Sequence, residues 1–550
     1  MRPAALFLLC ASVCVNLGAA ENSNLEVVNK IKTEAFDHSH VMEQLAFLTD
    51  LYGPRLTASP EFQQAADWAL ARFKEYGLSN VHAEKWGPFG RSWSLQSYTL
   101  EMVSPRYSHL VAAPLAWSAS SDGAFTADAM FAPIIPSPNR FDINASREAF
   151  EKYEAQWKGK LKGKIVLVSE AITPKPTTNP LFRRYTDAEL AAIAEAPEPV
   201  KRLAITSIDE MKVPRAEEDA RKYFQSLPPA LVDQFYDRYL GLRAEQGKFF
   251  HDEGVLAIIR ADGRAHNGLL FAEAAGSHES KDTMAPATFI VTQEQYSRMV
   301  RLLEKKEHVA LHVNLQAKYS SQDVDGQNLI GEIPGQKKLD EIVMIGAHFD
   351  SWHTATGATD NGAGSAVMME VMRILETLHL KMDRTVRIGL WSGEEQGLYG
   401  SKAYVKAHFA DPKTMQTKPE YGKFDVYLNL DNGSGKIRGI YLEGNDAARP
   451  VFEEMLRPFR DLGVITTTLK HTGGTDHLSF DAVGLPGFQF IQDPLDYGTV
   501  THHSDMDTYT HAIPEDLMQA SAVIATLVYD FANRDQPLPR KPMPAPEPGK

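Results

Sequence analysis

The chain has almost no cysteine: of its 550 residues, only Cys10 and Cys14 carry a thiol. Both fall within an apolar stretch, residues 4–15, that follows an arginine and precedes the small residues Gly18-Ala19-Ala20. This pattern is typical of a secretory signal peptide, here expected over residues 1–20, whose removal would leave no cysteine. Disulfide bonds, a thiol nucleophile and thiolate metal ligands are then excluded from the mature protein.

Long hydrophobic runs and dense basic runs are also lacking. The N-terminal apolar stretch is too short to span a bilayer, so no membrane anchor is expected after the signal peptide is removed. Lys and Arg number 57 against 71 Asp and Glu, and the resulting net charge of −14 disfavours nucleic acid and anionic membranes as partners. We therefore expect a secreted or periplasmic protein. Its oligomeric state is left open, with a homodimer among the options.

Several well-known catalytic motifs are absent: there is no His-Glu-x-x-His helix, Gly-x-Ser-x-Gly elbow or Walker loop. Instead, hydrophobic runs in the C-terminal part of the chain repeatedly end at acidic residues or histidines. Because the carboxyl ends of parallel strands meet at one edge of a sheet, this pattern indicates a metal site there. The runs are 342–347 before His348, 385–391 before Glu394 and Glu395, 425–430 before Asp431, and 485–491 before His502 and His503.

The fold class follows from the alternation of strand and helix signals after residue 328. This alternation predicts an α/β protein with a mainly parallel, mixed sheet between helices. Because 550 residues exceed one hydrophobic core, we expect residues 21–110 and 300–533 to form one discontinuous domain. Residues 111–299 are expected to form an inserted domain with a helical insertion, and the proline-rich tail 534–550 to be disordered.

The candidate metal ligands can only be nitrogen and oxygen donors, which suit zinc. Five ligands are too many for one tetrahedral ion and fit two Zn²⁺ ions bridged by one carboxylate. We predict that Asp360 bridges, because it sits in a tight turn before a buried helix. The first ion would take His348, Asp360 and Asp431, and the second Asp360, Glu395 and His503. With a hydroxide between the ions, the charges of this centre sum to zero.

Three more acidic residues are predicted to serve the centre. Two metal ions lower the pKa of a shared water, and Glu394, next to a ligand, is the expected general base. Asp350 is expected to accept a hydrogen bond from the second ring nitrogen of His348, and Asp507 from that of His503.

Taken together, the motifs resemble the di-zinc exopeptidase family of the aminopeptidase Y and plasma glutamate carboxypeptidase (carboxypeptidase Q) type. The resemblance covers about residues 40–110 and 300–533. It implies the same zinc ligands, Glu394 as base and a cis peptide bond between Asp360 and Asn361. The insert resembles a protease-associated domain. The matching segments are 348–350, 358–364, 392–401, 429–431, 474–477 and 503–508.

One position departs from this family. Many relatives have a tyrosine before the last zinc histidine, where this chain has His502, so either His502 or Tyr497 could donate to the oxyanion. Asp476 and His477 match a family motif near the cleft and are expected to support the site. Trp352 and His353 are candidates for the substrate pocket, with plain packing as the alternative for Trp352.

The predicted function is an exported metallo-exopeptidase that hydrolyses peptide bonds near a peptide terminus, or in dipeptides, with water activated by two zinc ions. Which terminus is attacked is left open. One alternative is a catalytically silent binding module on the same scaffold, which the intact ligands and Glu394 disfavour. Another is acyl transfer at one zinc, as in glutaminyl cyclases, which the complete two-metal set disfavours.

Overall fold

The computed structural model describes residues 24–545, apart from 136, 138, 140, 173–177, 198–200 and 202. The expected signal peptide, residues 1–20, lies outside the described residues, as does the end of the tail, 546–550. None of the described helices combines the length and the apolar character needed to cross a membrane.

The described residues form thirteen α-helices and sixteen β-strands. The helices are α1 Leu25–Asp37, α2 Val41–Ala46, α3 Pro60–Glu75, α4 Ile143–Trp157, α5 Asp187–Ala194, α6 Glu217–Gln225, α7 Pro229–Asp252, α8 Gln293–Glu304, α9 Ala363–Thr377, α10 Tyr399–His408, α11 Arg449–Met455, α12 His477–Asp481 and α13 Pro514–Asn533. The strands are β1 Ser79–Gly90, β2 Trp93–Ser104, β3 Ser108–His109, β4 Ala112–Pro114, β5 Phe125–Phe131, β6 Ile165–Leu167, β7 Ala257–Arg260, β8 Ala287–Val291, β9 Ala310–Tyr319, β10 Val324–Ile333, β11 Lys338–His348, β12 Arg384–Trp391, β13 Phe424–Asn429, β14 Ile437–Tyr441, β15 Thr466–Thr468 and β16 Gly487–Gln492.

The first sheet has the strand order β1-β10-β12-β11-β13-β16-β14-β15. Its four central strands, β12, β11, β13 and β16, are parallel, so their carboxyl ends lie at the same edge. β10 and β14 run antiparallel to these strands, which makes the sheet mixed. The predicted α/β class, with a mixed sheet between helices, is confirmed.

The helices next to this sheet follow the sequence pattern. α3 begins after Ser59, whose side chain accepts the N–H of Phe62, and Pro60 occupies the first turn. α9 is buried on nearly every side, because it lies between the sheet and helices α1, α2 and α13. Its apolar residues form one core with those of the central strands. This hydrophobic core packs against the central strands and supports the edge of the sheet at which they end.

A second sheet of eight strands has the order β3-β2-β9-β5-β6-β7-β8-β4. The predicted insert boundaries, 111–299, are too narrow. β2 and β9 lie outside them, yet they pair in a long antiparallel ladder from Trp93–Tyr319 to Ser104–Ala310 and belong to this sheet. The inserted unit therefore runs from Trp93 to Tyr319, with α5, α6 and α7 as its helical insertion. The pairing of two strands so far apart in the chain could not be read from local sequence.

The described part of the tail, residues 534–545, corrects the expectation of disorder. Leu538 is buried, and its backbone N–H donates to Asp425 Oδ1 at 2.6 Å. Lys338 Nζ donates to the carbonyls of Arg534 and Asp535. The Leu538 side chain and hydrogen bonds to the backbone of this extended segment hold it against the first sheet, and the proline-rich composition of the tail does not indicate either contact.

A leucine pair tests whether this segment is part of the fold. We expect Leu538→Ala to lower the free energy of unfolding by about 2–5 kcal/mol, because it leaves a cavity in a packed site. Leu339→Ala is the matched control, since Leu339 is 61% exposed, and it should change stability by less than about 0.5 kcal/mol. Urea denaturation measures both, and equal effects would contradict the packing of the tail.

Candidate metal centre

The edge where the parallel strands end carries the predicted ligands. His348 is the last residue of β11, and Glu394 and Glu395 lie in the turn after β12. Asp431 follows β13, and His503 lies in the loop beyond β16. Asp360 lies in the turn before α9, and its peptide bond to Asn361 is cis, as the resemblance implies.

The structure brings all five predicted ligands together around Asp360. His348 Nε2 lies 3.3 Å from Asp360 Oδ1 and 3.3 Å from Asp431 Oδ1. On the other side, His503 Nε2 lies 3.3 Å from Asp360 Oδ2 and 3.0 Å from Glu395 Oε2. Each carboxylate oxygen of Asp360 therefore faces a different group of donors, as a bridging ligand requires.

The donor atoms of this centre are buried without partners. His348 Nε2, Asp360 Oδ2, Glu395 Oε1 and Asp431 Oδ1 have no hydrogen-bond partner among the described residues. Buried polar atoms left unsatisfied cost free energy, and four of them facing one another are what a bound cation would satisfy. Two groups, Asp360 with His348 and Asp431, and Asp360 with His502 and His503, have ligand atoms close enough to hold an ion. The residues fit a zinc centre.

The electrostatics of the acidic side chains also favour a cation. Burial raises the pKa of Glu395 to about 7, and the Asp360 carboxylate adds to this shift. Burial likewise raises the pKa of Glu394 well above its usual value, with Asp431 and Asp476 adding to the shift and His348 opposing it. Carboxylates kept this close together are stabilised as anions only when positive charge lies beside them.

Asp350 accepts the hydrogen bond from the second ring nitrogen of His348, as predicted, and it does so through its backbone. The acceptor for His348 Nδ1 is the backbone carbonyl of Asp350 at 3.0 Å, whereas its carboxylate Oδ1 is 3.7 Å away. The carboxylate instead accepts hydrogen bonds from the hydroxyl of Thr57 and from the backbone N–H groups of Glu394 and Glu395. Asp350 therefore orients the histidine through its backbone and the glutamate turn through its side chain.

Asp507 is not the partner of His503. Its carboxylate accepts from the backbone N–H groups of Thr359 and Asp360, at 2.6 and 3.1 Å, and so holds the turn of the bridging aspartate. Burial raises the pKa of Asp507 to about 7. His503 Nδ1 lies instead 3.0 Å from Glu273 Oε1, a residue of the insert 230 positions earlier in the chain. No local signal in the sequence connects the two.

The two candidates for oxyanion stabilisation lie beside the centre. His502 Nε2 is 3.9 Å from Asp360 Oδ2, and its ring stacks on that of His503 with centroids 3.9 Å apart. The ring of Tyr497 lies 4.9 Å from that of His502. Both side chains are close enough to the centre to serve a substrate bound there.

Asp476 and His477 lie behind the centre. Asp476 is fully buried, neither of its carboxylate oxygens has a hydrogen-bond partner among the residues described, and burial raises its pKa to about 7. His477 Nε2 lies 3.5 Å from Glu443 Oε1. Both residues are enclosed in protein, in keeping with a supporting role.

A small cavity lies beside the candidate metal centre and is lined by Asp360, Glu395 and His503. Of the two pocket candidates, only Trp352 lines this cavity. His353 is buried between the domains, where its Nε2 hydrogen-bonds to the carbonyl of Pro114 at 2.8 Å. The expectation that His353 lines the substrate pocket is therefore wrong: the residue after Trp352 points the other way, into the contact with the insert.

Arg55 is a supporting residue that the sequence did not indicate. Its guanidinium is fully buried and donates to four backbone carbonyls, those of Leu48, Phe349, Thr356 and Gly357. Burial lowers its pKa to about 10, while the carboxylates of the centre oppose the shift. The buried guanidinium of Arg55 thus holds in place the loops that carry the candidate ligands.

Residues 328–528 match the model of peptidase family M28. This part of the chain is therefore similar to that family. The resemblance drawn from the motifs is thereby confirmed, and the matched segment contains all five candidate ligands and Glu394.

Similar proteins include carboxypeptidase Q of Mus musculus, 24% identical over 94% of this chain and 89% of the relative. A crystal structure of a peptidase M28 precursor from Shewanella amazonensis superposes with a TM-score of 0.63 at 24% identity, covering 94% of this chain and 98% of that one. The zinc aminopeptidase BSAP from Bacillus subtilis superposes with a TM-score of 0.53 at 18% identity, covering 90% and 95%. At these identities the structural likeness is one of fold.

The contacts of Asp350 predict that its carboxylate affects peptidase activity but not metal binding. Asp350→Asn leaves the backbone carbonyl that orients His348, so bound metal should stay at the wild-type level. Peptidase activity should fall by about 10–100-fold, because the glutamate turn loses a hydrogen-bond acceptor. Metal analysis and a peptide hydrolysis assay measure the two, with the exposed Asp67→Asn as control. Loss of metal in step with activity would contradict this separation and show that the Asp350 carboxylate is needed for metal binding.

Proposed function

We propose that this protein is an exported zinc-dependent exopeptidase that hydrolyses peptide bonds near a peptide terminus or in dipeptides. The observation that carries the proposal is the cluster of five buried or half-buried residues with nitrogen and oxygen donors, with Glu394 beside it. The match to family M28 supports it, as do the names of the similar proteins, a carboxypeptidase and a zinc aminopeptidase. Export rests on the signal-like residues 1–20.

Two zinc ions are proposed, one held by His348 and Asp431 and the other by Glu395 and His503, with Asp360 shared between them. When bound, such ions would lower the pKa of a water molecule and polarise the carbonyl oxygen of the scissile bond.

Glu394 is the proposed proton carrier. Its Oε2 lies 3.9 Å from His348 Nε2, so the carboxylate faces the centre, and its backbone N–H is held by Asp350. Burial raises its pKa, which makes this carboxylate a good acceptor for a proton from water. The same carboxyl then donates that proton to the leaving nitrogen, and the second proton of the water follows it, so that one water is consumed and one carboxylate and one ammonium group are released.

The surroundings of the centre favour a chain end as substrate. Trp352 closes one side of the cavity, and its ring contacts that of His503 at 6.1 Å between centroids. His502 or Tyr497 would donate to the oxyanion. The insert, which resembles a protease-associated domain, covers the loop of His503 and so restricts the cleft.

Replacing the proposed base should separate binding from chemistry. We expect the wild-type protein to carry two zinc ions and Glu394→Gln to retain both, because Glu394 is not a ligand, while hydrolysis falls by about 10²–10⁴-fold. Metal analysis and initial rates on a dipeptide and a tripeptide measure this, with the exposed Glu304→Gln as control. Full activity in the Glu394 variant would remove that residue from the reaction.

Blocked peptides test the exopeptidase proposal. A tripeptide with both termini blocked should resist cleavage, because the proposed exopeptidase requires a free chain end close to the scissile bond. Free, amino-blocked and carboxy-blocked versions of the same peptide, read by mass spectrometry, then show which terminus is required. Efficient cleavage of the doubly blocked peptide would contradict an exopeptidase.

A further inference from the structure

The inserted domain reaches the metal centre through one short stretch, residues 264–275, which we name the clasp segment. It runs along the loop that carries His502 and His503, and Phe271 pairs with Ser504 in an antiparallel bridge. Leu270 and Asp505 exchange two hydrogen bonds, each 2.9 Å long. His266 Nε2 bonds to the carbonyl of Thr499 at 2.9 Å. The clasp segment and the ligand loop are therefore joined by one backbone–backbone hydrogen bond, from Asp505 N–H to the carbonyl of Leu270, and by two that involve the side chains of Asp505 and His266.

This pairing places Glu273 next to the second metal-binding histidine. Its Oε1 accepts the hydrogen bond from His503 Nδ1 at 3.0 Å, and Arg264 Nη2 approaches the same oxygen at 3.3 Å. A proton on Nδ1 leaves the lone pair of Nε2 free, and that nitrogen is the one that faces Asp360 and Glu395. Glu273 thus determines both the tautomer and the direction of the ring.

The two histidines of the centre are oriented from different domains. His348 is held by the carbonyl of Asp350, two residues away in the catalytic domain. His503 has a left-handed backbone, with φ of 60°, and its Nδ1 is held by a carboxylate from the insert. Without the insert, His348 would keep the group that orients its ring, whereas His503 would lose it.

We propose that Glu273 is a positioning residue for the zinc ion held by Glu395 and His503, and that the inserted domain is needed for this ion to be retained. This inference rests on the proposed two-zinc function. It assigns to the insert a direct part in the metal centre, beyond covering the cleft.

The experiment is a zinc titration of the full-length mature protein, stripped of metal, in competition with a chromogenic chelator. For Glu273→Ala, we expect one of the two ions to bind about 10–100-fold more weakly and the other to bind as in the wild type. Glu273→Gln should lose less affinity, because its amide oxygen still accepts from Nδ1–H. Glu245→Ala, which removes an exposed carboxylate of the same domain, should match the wild type.

Equal affinity of both ions in Glu273→Ala and the wild type would overturn the proposal. So would parallel loss of both ions with a lowered melting temperature, since that pattern shows a general effect on folding. The wild-type titration is read first: fewer than two bound zinc ions there would refute the two-zinc function itself, separately from the role of Glu273.

Discussion

A buried concentration of carboxylates is the constraint on which the rest of the structure depends. Asp350, Asp360, Glu394, Asp431 and Asp507 all lie at one edge of the first sheet with exposures below a tenth. Removing such charges from water is costly unless cations or hydrogen bonds compensate. The buried guanidinium of Arg55 and the backbone N–H groups that donate to Asp350 and Asp507 compensate for part of this cost. The remaining donor atoms are free to bind metal ions.

The clustering of the five candidate ligands could be predicted from the sequence because each one is tied to a local pattern. A buried parallel strand is a run of apolar residues, and a polar residue directly after it must lie at the carboxyl edge. His348, Glu395 and Asp431 follow this rule, and Asp360 precedes a helix that is apolar on nearly all sides. The local patterns add up to a site because topology brings the strand ends together.

The contacts around the ligands could not be predicted in the same way, because they join residues far apart in the chain. Glu273 and His503 are separated by 230 positions, and Arg55 and Phe349 by 294. The sequence predicted that Asp350 accepts from His348 but not which of its oxygens does so, because the side chain and the carbonyl of one residue compete for the same proton. The boundaries of the insert were predicted too narrowly because β2 and β9 are far apart in the chain and become neighbours only after folding.

The split of the catalytic domain into two stretches around the insert has a consequence for how the molecule comes into being. Helix α1, near the start of the described chain, packs into one core with α13, near its end. During synthesis α1 and α2 can pack on α9 first, but their common core is complete only after α13 has left the ribosome. A chain that is still being synthesised therefore lacks part of the hydrophobic core that supports the candidate centre until α13 has been made.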